Sequence, residues 1–204
     1  MSENTATTET PFRETWTLDF LGWKPWMERA MDTDLSPEQR DAVEAFVGNS
    51  PTRDYLGVLA NDLSAVKARA LVHRHVYTST DPQPTANREL GATTTSRING
   101  CVYCAAVHAR AYANASKQRD VITRFLNDGI DAELPALERA IVDLSAKVTT
   151  DPEGLTAADL QPLRDLGLDD LGILDIINYA AFFANANRLM LTLGEPTPPV
   201  ATSR

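Results

Sequence analysis

Helical punctuation, repeated from residue 36 to residue 194, most constrains what this chain can become. In "LSPEQRDAVEAFVGNSP", Ser36 can cap a helix, Pro37 suits its first position and Gly48 stops it. "DLSAVKARALVHRHVYTS" places Leu63, Val66, Ala70 and Leu71 at helical spacing, and the prolines of "TDPQPT" break the run. "ELPALERAIVDLSAKVT" repeats the rhythm through Leu137, Ile141, Leu144 and Val148. "LTAADLQPLRDLG" offers Thr156 as a cap, Asp159 three residues on and Gly167 as a terminator. "LDDLGILDIINYAAFFANANRLMLTLG" closes the series at Gly194. No alternating β-branched run bounded by hairpin turns interrupts it. The pattern predicts an all-α fold without an internal repeat.

Four segments are expected. Residues 1–15 read as a disordered tail, 16–50 as an N-terminal helical extension, 51–194 as the main helical domain and 195–204 as a second, Pro-rich disordered tail. Trp16, Trp23 and Trp26 in "WTLDFLGWKPW" are expected to anchor the extension on the core or on a neighbouring subunit. A formal net charge of -9, without any Lys/Arg cluster, argues against nucleic acid as a partner. The polar, acidic start has no charged region leading into an apolar run, so no signal peptide is expected. Asp175, Asn178, Asn185, Asn187 and Arg188 interrupt the most apolar late stretch, which therefore predicts a buried helix at the core or a subunit contact rather than a membrane span. A cytoplasmic protein is expected.

The chemistry gathers in "NGCVYCAAVHARAY", residues 99–112, where both cysteines and one of three histidines sit within eight residues. Asn99 and Gly100 are natural caps, and the alanines that follow favour helix. Cys101, Cys104 and His108 then stand at i, i+3 and i+7 on one face. Cys101 would lie in the first turn, where unpaired N–H groups favour a thiolate. His108, one turn beyond Cys104, could take its proton. Three readings compete. The residues could be small core groups with a satisfied histidine. They could be three of about four zinc ligands, completed by Glu89 or His73, although no second cysteine knuckle exists. They could be a redox pair on a helical scaffold, which two clustered thiols beside an imidazole favour.

"RELGATTTSRINGCVYCAAVH" adds a longer spacing: Glu89, eleven residues, CxxC, three residues, then His. On these residues the chain resembles the alkylhydroperoxidase AhpD-like branch of the carboxymuconolactone decarboxylase family, over roughly residues 50–194. "LANDLSAVKARALVHRHV" resembles the helix that precedes the motif, and "LTAADLQPLRDLGLDDLGILDIINYAAFFANANRL" the family's C-terminal pattern, ending in Asn187 and Arg188. The resemblance implies an all-helical domain assembled as a trimer or a multiple of it. It implies a thiol-dependent peroxidase reducing small or alkyl hydroperoxides, with Cys104 as the attacking thiol, Cys101 as the resolving thiol, and His108 with Glu89 as a proton relay. No bound cofactor or metal is implied. In the family, the external dithiol reductant can be a lipoyl group on an adaptor protein. The residues alone leave the two thiol roles open, since the helix start favours Cys101 as the acidic one and the histidine favours Cys104.

One position departs from the pattern. Family members with peroxidase activity can carry a second histidine before the second cysteine. Tyr103 stands there, a poor base near neutral pH whose simpler role is packing. Elsewhere, a glutamate near a helix start is ordinarily solvated, and only its spacing promotes Glu89. His73 and His75 in "LVHRHVY" are expected on different faces in packing or surface roles. Asn187 and Arg188 are explained by a buried polar pair at a subunit contact. The alternatives are a disulfide reductase without peroxidase activity, or a non-enzymatic redox-sensing or zinc-binding protein. A decarboxylase is disfavoured, because that branch does not depend on CxxC.

Overall fold

Ser36 and Thr156 cap helices as the sequence foresees, whereas Asn99 and Gly100 precede the cap of theirs, which is Cys101. The computed structural model describes residues 15–48, 50, 52–78 and 84–199, and among these lie nine α-helices and one pair of strands. Strand β1 (Leu21–Pro25) leads through a short 3-10 turn to α1 (Pro37–Val47). Ser36 Oγ accepts the Gln39 N–H and the Gln39 side chain accepts the Ser36 N–H, so two otherwise unpaired donors are satisfied at once. Helix α2 (Arg53–Leu59) turns into α3 (Leu63–Thr78), followed by α4 (Thr85–Ile98), α5 (Val102–Ser116) and α6 (Arg119–Asp128). Helices α7 (Ala136–Thr150), α8 (Ala157–Asp165) and α9 (Asp170–Leu193) lead to β2 (Gly194–Pro199). At the start of α8, Asp159 accepts from Lys147 Nζ and from the Thr156 N–H and hydroxyl. Lys147 first, then Thr156, holds its carboxyl down at about 2.

Helix α4 is the hub, packed against α5, α7 and α9. Every residue from Arg88 to Ser96 is buried, although the run is rich in threonine. The hydroxyls are satisfied locally: Thr93 donates to the Glu89 carbonyl at 2.7 Å and Thr94 to the Leu90 carbonyl at 2.9 Å. Around this helix Leu90, Ile122, Phe125, Ile141, Leu144 and Leu163 form the main apolar core. Each such side chain contributes roughly 1.5–3 kcal/mol by leaving water. Among the described residues no helix is long and apolar enough to cross a membrane.

Two expected segment boundaries change. The extension over 16–50 is helical only at Ala30–Asp32 and Pro37–Val47, because residues 21–25 alternate inward and outward as a strand that buries Leu21 and Trp23. The expected tail from 195 instead pairs antiparallel with β1 as far as Pro199. In a two-stranded ribbon every strand is an edge, so the prolines of β2 can face outward without breaking a ladder. Residues 1–14 and 200–204, where the rest of the tail expectations fall, lie outside the described residues. The prolines of "TDPQPT" do too, apart from Pro84.

The ribbon is closely fitted. Trp23 Nε1 donates to the Met190 carbonyl at 3.3 Å. A Cβ added at Gly194 would stand 2.3 Å from Trp23 Cζ2 and 2.5 Å from the Lys24 carbonyl oxygen. The Gly194 backbone is extended, so the constraint is space and not strain. Gly194→Ala is therefore expected to cost about 1–3 kcal/mol by overpacking. A lowered urea midpoint would read it, and an unchanged midpoint would show that the ribbon yields freely.

Candidate functional site

The turn between α4 and α5 delivers the cysteines. Gly100 adopts φ +78°, a left-handed value that glycine tolerates, and the Cys101 N–H then donates back to the Ser96 carbonyl at 2.9 Å. Cys101 becomes the N-cap of α5, its Sγ accepting the Cys104 N–H at 3.4 Å. Cys101 and Cys104 are joined in a disulfide, with Cα atoms 5.3 Å apart. Both are nearly inaccessible, at 3% and 4% exposure. They pack in an apolar cluster with Leu21 and Trp23 of β1, Tyr55 of α2 and Met190 of α9. Met190 Sδ lies 3.5 Å from Cys104 Sγ. The strand of the foreseen extension thus packs in the cluster of the sulfurs, and the segment foreseen as a tail pairs with that strand.

One turn along α5, His108 is buried with its Nδ1 2.7 Å from Glu89 Oε2. The other oxygen of Glu89 accepts from the Tyr179 hydroxyl at 2.9 Å. Glu89 is not the solvated residue of an ordinary helix start, since it is 1% exposed on the hub helix. A carboxylate at Glu89 only accepts, and with it the Nδ1 of His108 would carry the proton and leave Nε2 free to accept one. Phe183 stands edge-on to the imidazole, with ring centres 4.0 Å apart. Arg88 reaches Asp175 at 3.6 Å beside Tyr179, and burial is the main influence raising the Asp175 carboxyl. The structure therefore brings all four expected residues into one region: the sulfur pair on one side, the Glu89–His108 pair a turn away.

Several partners escaped the sequence reading. Tyr179, Phe183, Asn187 and Met190 are spaced four, four and three residues apart, a single face of α9 turned to the site. That spacing was visible, but its destination required knowing that α9 packs on α4. The Asn187–Arg188 pair separates. Asn187 is fully buried, donating to Ser96 Oγ at 3.0 Å and accepting from Asn99 Nδ2 at 3.1 Å, and so clamps the turn before Cys101. Arg188 turns outward and donates to the Ala184 carbonyl. The three tryptophans separate too: Trp23 is buried, Trp26 is 52% exposed, and Trp16 lies under the Arg97 guanidinium.

Tyr103 packs in the cysteine cluster, and burial pushes its phenol up, away from any role as a base. His73 sits half-buried against Phe182 and Phe183, its proton affinity lowered by burial first and by Arg69 second, while His75 is exposed. Among the described residues no three His, Cys, Asp or Glu side chains are grouped to hold a metal ion.

Fold and site together define an all-helical protein with a redox-capable CxxC pair at a helix start and a buried carboxylate–imidazole pair one turn beyond. Residues 67–141, which carry Glu89, Cys101, Cys104 and His108, match the Carboxymuconolactone decarboxylase family. The match falls on the segment that holds the motif from which the resemblance was read. In overall fold the chain is similar to the alkylhydroperoxidase AhpD core of a peroxidase-related protein from Ralstonia eutropha JMP134, at 23% identity and TM-score 0.65, over 78% of this chain and 84% of that one. It is also similar to a peroxidase-related protein from Silicibacter sp. TM1040, at 24% identity and TM-score 0.66, over 83% and 92%. At these identities the likeness is one of fold. No curated protein matches the chain.

Proposed function

We propose that the protein is a thiol-dependent peroxidase, reducing small or alkyl hydroperoxides with electrons from an external dithiol. The observation that carries this reading is the 2.7 Å contact of His108 with buried Glu89, one turn from a CxxC pair already able to bridge. In the reduced protein, His108 takes the Cys104 proton directly or through a water. The thiolate attacks the distal peroxide oxygen, the O–O bond breaks, and the departing alkoxide receives the proton held on His108. Cys104 is then a sulfenic acid. Cys101, whose sulfur accepts an N–H at the start of α5, attacks as a thiolate, forming the disulfide and releasing hydroxide that is protonated to water. A dithiol restores both thiols and leaves oxidised, with a lipoyl group on an adaptor protein as one such donor. The resemblance, not the helix geometry, places the attack on Cys104.

Burial of both sulfurs favours a second reading, a redox switch that reacts once and changes shape. Hydroperoxide consumption driven by excess dithiol separates the two. Many turnovers per protein support the peroxidase, whereas one equivalent supports the switch. Reduction of insulin without peroxide turnover points to a disulfide reductase instead.

Assembly as a homo-oligomer, a trimer or a multiple of it, belongs to the same proposal, as does a cytoplasmic location. Leu71 and Val72 on α3, with Leu171 and Leu174 on α9, are each about half exposed or more in one chain. Light scattering is expected to report a mass at least three times that of the chain, and a monodisperse monomer would contradict it.

A further inference from the structure

Two buried polar atoms near the proposed reaction centre have no hydrogen-bond partner, Tyr55 Oη and Arg69 Nε. Tyr55 is 5% exposed and packs in the apolar cluster that holds Cys101, Cys104 and Met190. Arg69 projects from α3 with Cζ 5.8 Å from the centre of the Tyr55 ring and 4.8 Å from that of Phe182. Phe182 meets Phe183 edge-on at 5.3 Å, and Phe183 is the ring against His108. The guanidinium thus joins the wall around the sulfurs to the aromatic wall beside the Glu89–His108 pair. Arg29, Arg53, Arg88, Arg139 and Arg164 each face a carboxylate of the chain, whereas Arg69 faces rings.

A buried guanidinium N–H and a buried phenol without acceptors are unfavourable unless something accepts from both. A carboxylate does so, because it is planar, acceptor-only and matched to the donor fork of arginine. Resting on the peroxidase reading, we infer that Arg69 and Tyr55 bind the carboxylate of an acidic organic hydroperoxide, so that its substrates are hydroperoxides of carboxylic acids. The Tyr55 ring, beside the guanidinium and in the cluster of the sulfurs, offers apolar surface for the hydrocarbon that separates carboxylate from peroxide. The redox step is unchanged: the thiolate of Cys104 takes the distal oxygen, the hydroxy acid leaves, and the external dithiol supplies both electrons.

A hydroperoxy fatty acid and its methyl ester, each reduced with the neutral reductant dithiothreitol, provide the test. The acid is expected to show about a tenfold higher kcat/KM than the ester, expressed in KM, the size of one charge-assisted hydrogen-bonded contact. Arg69→Gln is expected to bring that ratio to about one, and Arg69→Lys to restore part of it. Equal wild-type values for acid and ester, or an unchanged ratio in Arg69→Gln, would overturn the inference. Calorimetric binding of octanoate and of methyl octanoate reads the same site without turnover. Octanoate binding that is lost in Arg69→Gln supports the site even if no hydroperoxide is consumed, in which case the peroxidase reading fails and the anion site stands. Octanoate that binds no better than its ester overturns the site whatever the turnover.

Discussion

Cys104→Ser abolishes dithiol-driven hydroperoxide consumption, whereas Cys101→Ser still reacts once and stops as a sulfenic acid: this is the expected outcome of stoichiometric oxidation followed by mass spectrometry. A serine hydroxyl does not attack an O–O bond at neutral pH, so no part of the cycle survives loss of the attacking sulfur. Loss of the resolving sulfur leaves the first step intact and strands its product. Geometry alone would allow the opposite assignment, because Cys101 Sγ is the one that accepts a backbone N–H. A sulfenic acid found only in Cys104→Ser would exchange the two roles while keeping the peroxidase. Turnover that persists in both variants would remove the thiol mechanism.

Glu89→Gln is expected to slow peroxide-dependent thiol oxidation by about 10²–10⁴-fold, the range general acid–base catalysis supplies. Glu89 has two oxygens and two donors, His108 Nδ1 and the Tyr179 hydroxyl. A glutamine offers one acceptor and one NH₂ and no charge, so even where the Tyr179 hydroxyl turns to accept from the NH₂, an imidazolium formed at His108 loses its counter-charge. Where the NH₂ faces His108 instead, the ring proton moves to Nε2, which removes the base on that nitrogen. Single-turnover kinetics of the reduced protein read the effect, with circular dichroism to confirm that α4 is intact. A rate within threefold of the parent would show that the carboxylate only supports the fold.

The parts of the fold and site legible in the sequence were those decided locally. Ser36, Pro37 and Gly48 mark α1 because capping needs only neighbours three residues away. The relation of Cys101, Cys104 and His108 follows from the pitch of one helix, and Glu89 was legible only through a family spacing. Helix α4 was not legible as the hub, because its polar composition suggests solvent. Thr93, Thr94 and Thr95 are buried there because each hydroxyl finds a carbonyl on its own helix or a partner on α7. Tyr179 and Phe183 were visible as a helical face, but their meeting with Glu89 and His108 depends on packing between helices ninety residues apart in sequence. The ribbon was least legible. Its strands are five and six residues long, proline-bearing, and find each other only across the whole domain.

That last distance has a consequence for biogenesis. Trp23 and Met190, bonded across the ribbon's edge, are 167 residues apart in sequence, so the ribbon closes one of the largest loops in the molecule. Closure of so long a loop carries an entropic cost that nearer contacts do not, and it is repaid only once the helical body exists. In a growing chain, β1, whose Leu21 and Trp23 lie in the cluster of the sulfurs, has no strand partner until residues 194–199 are made, long after Cys101 and Cys104.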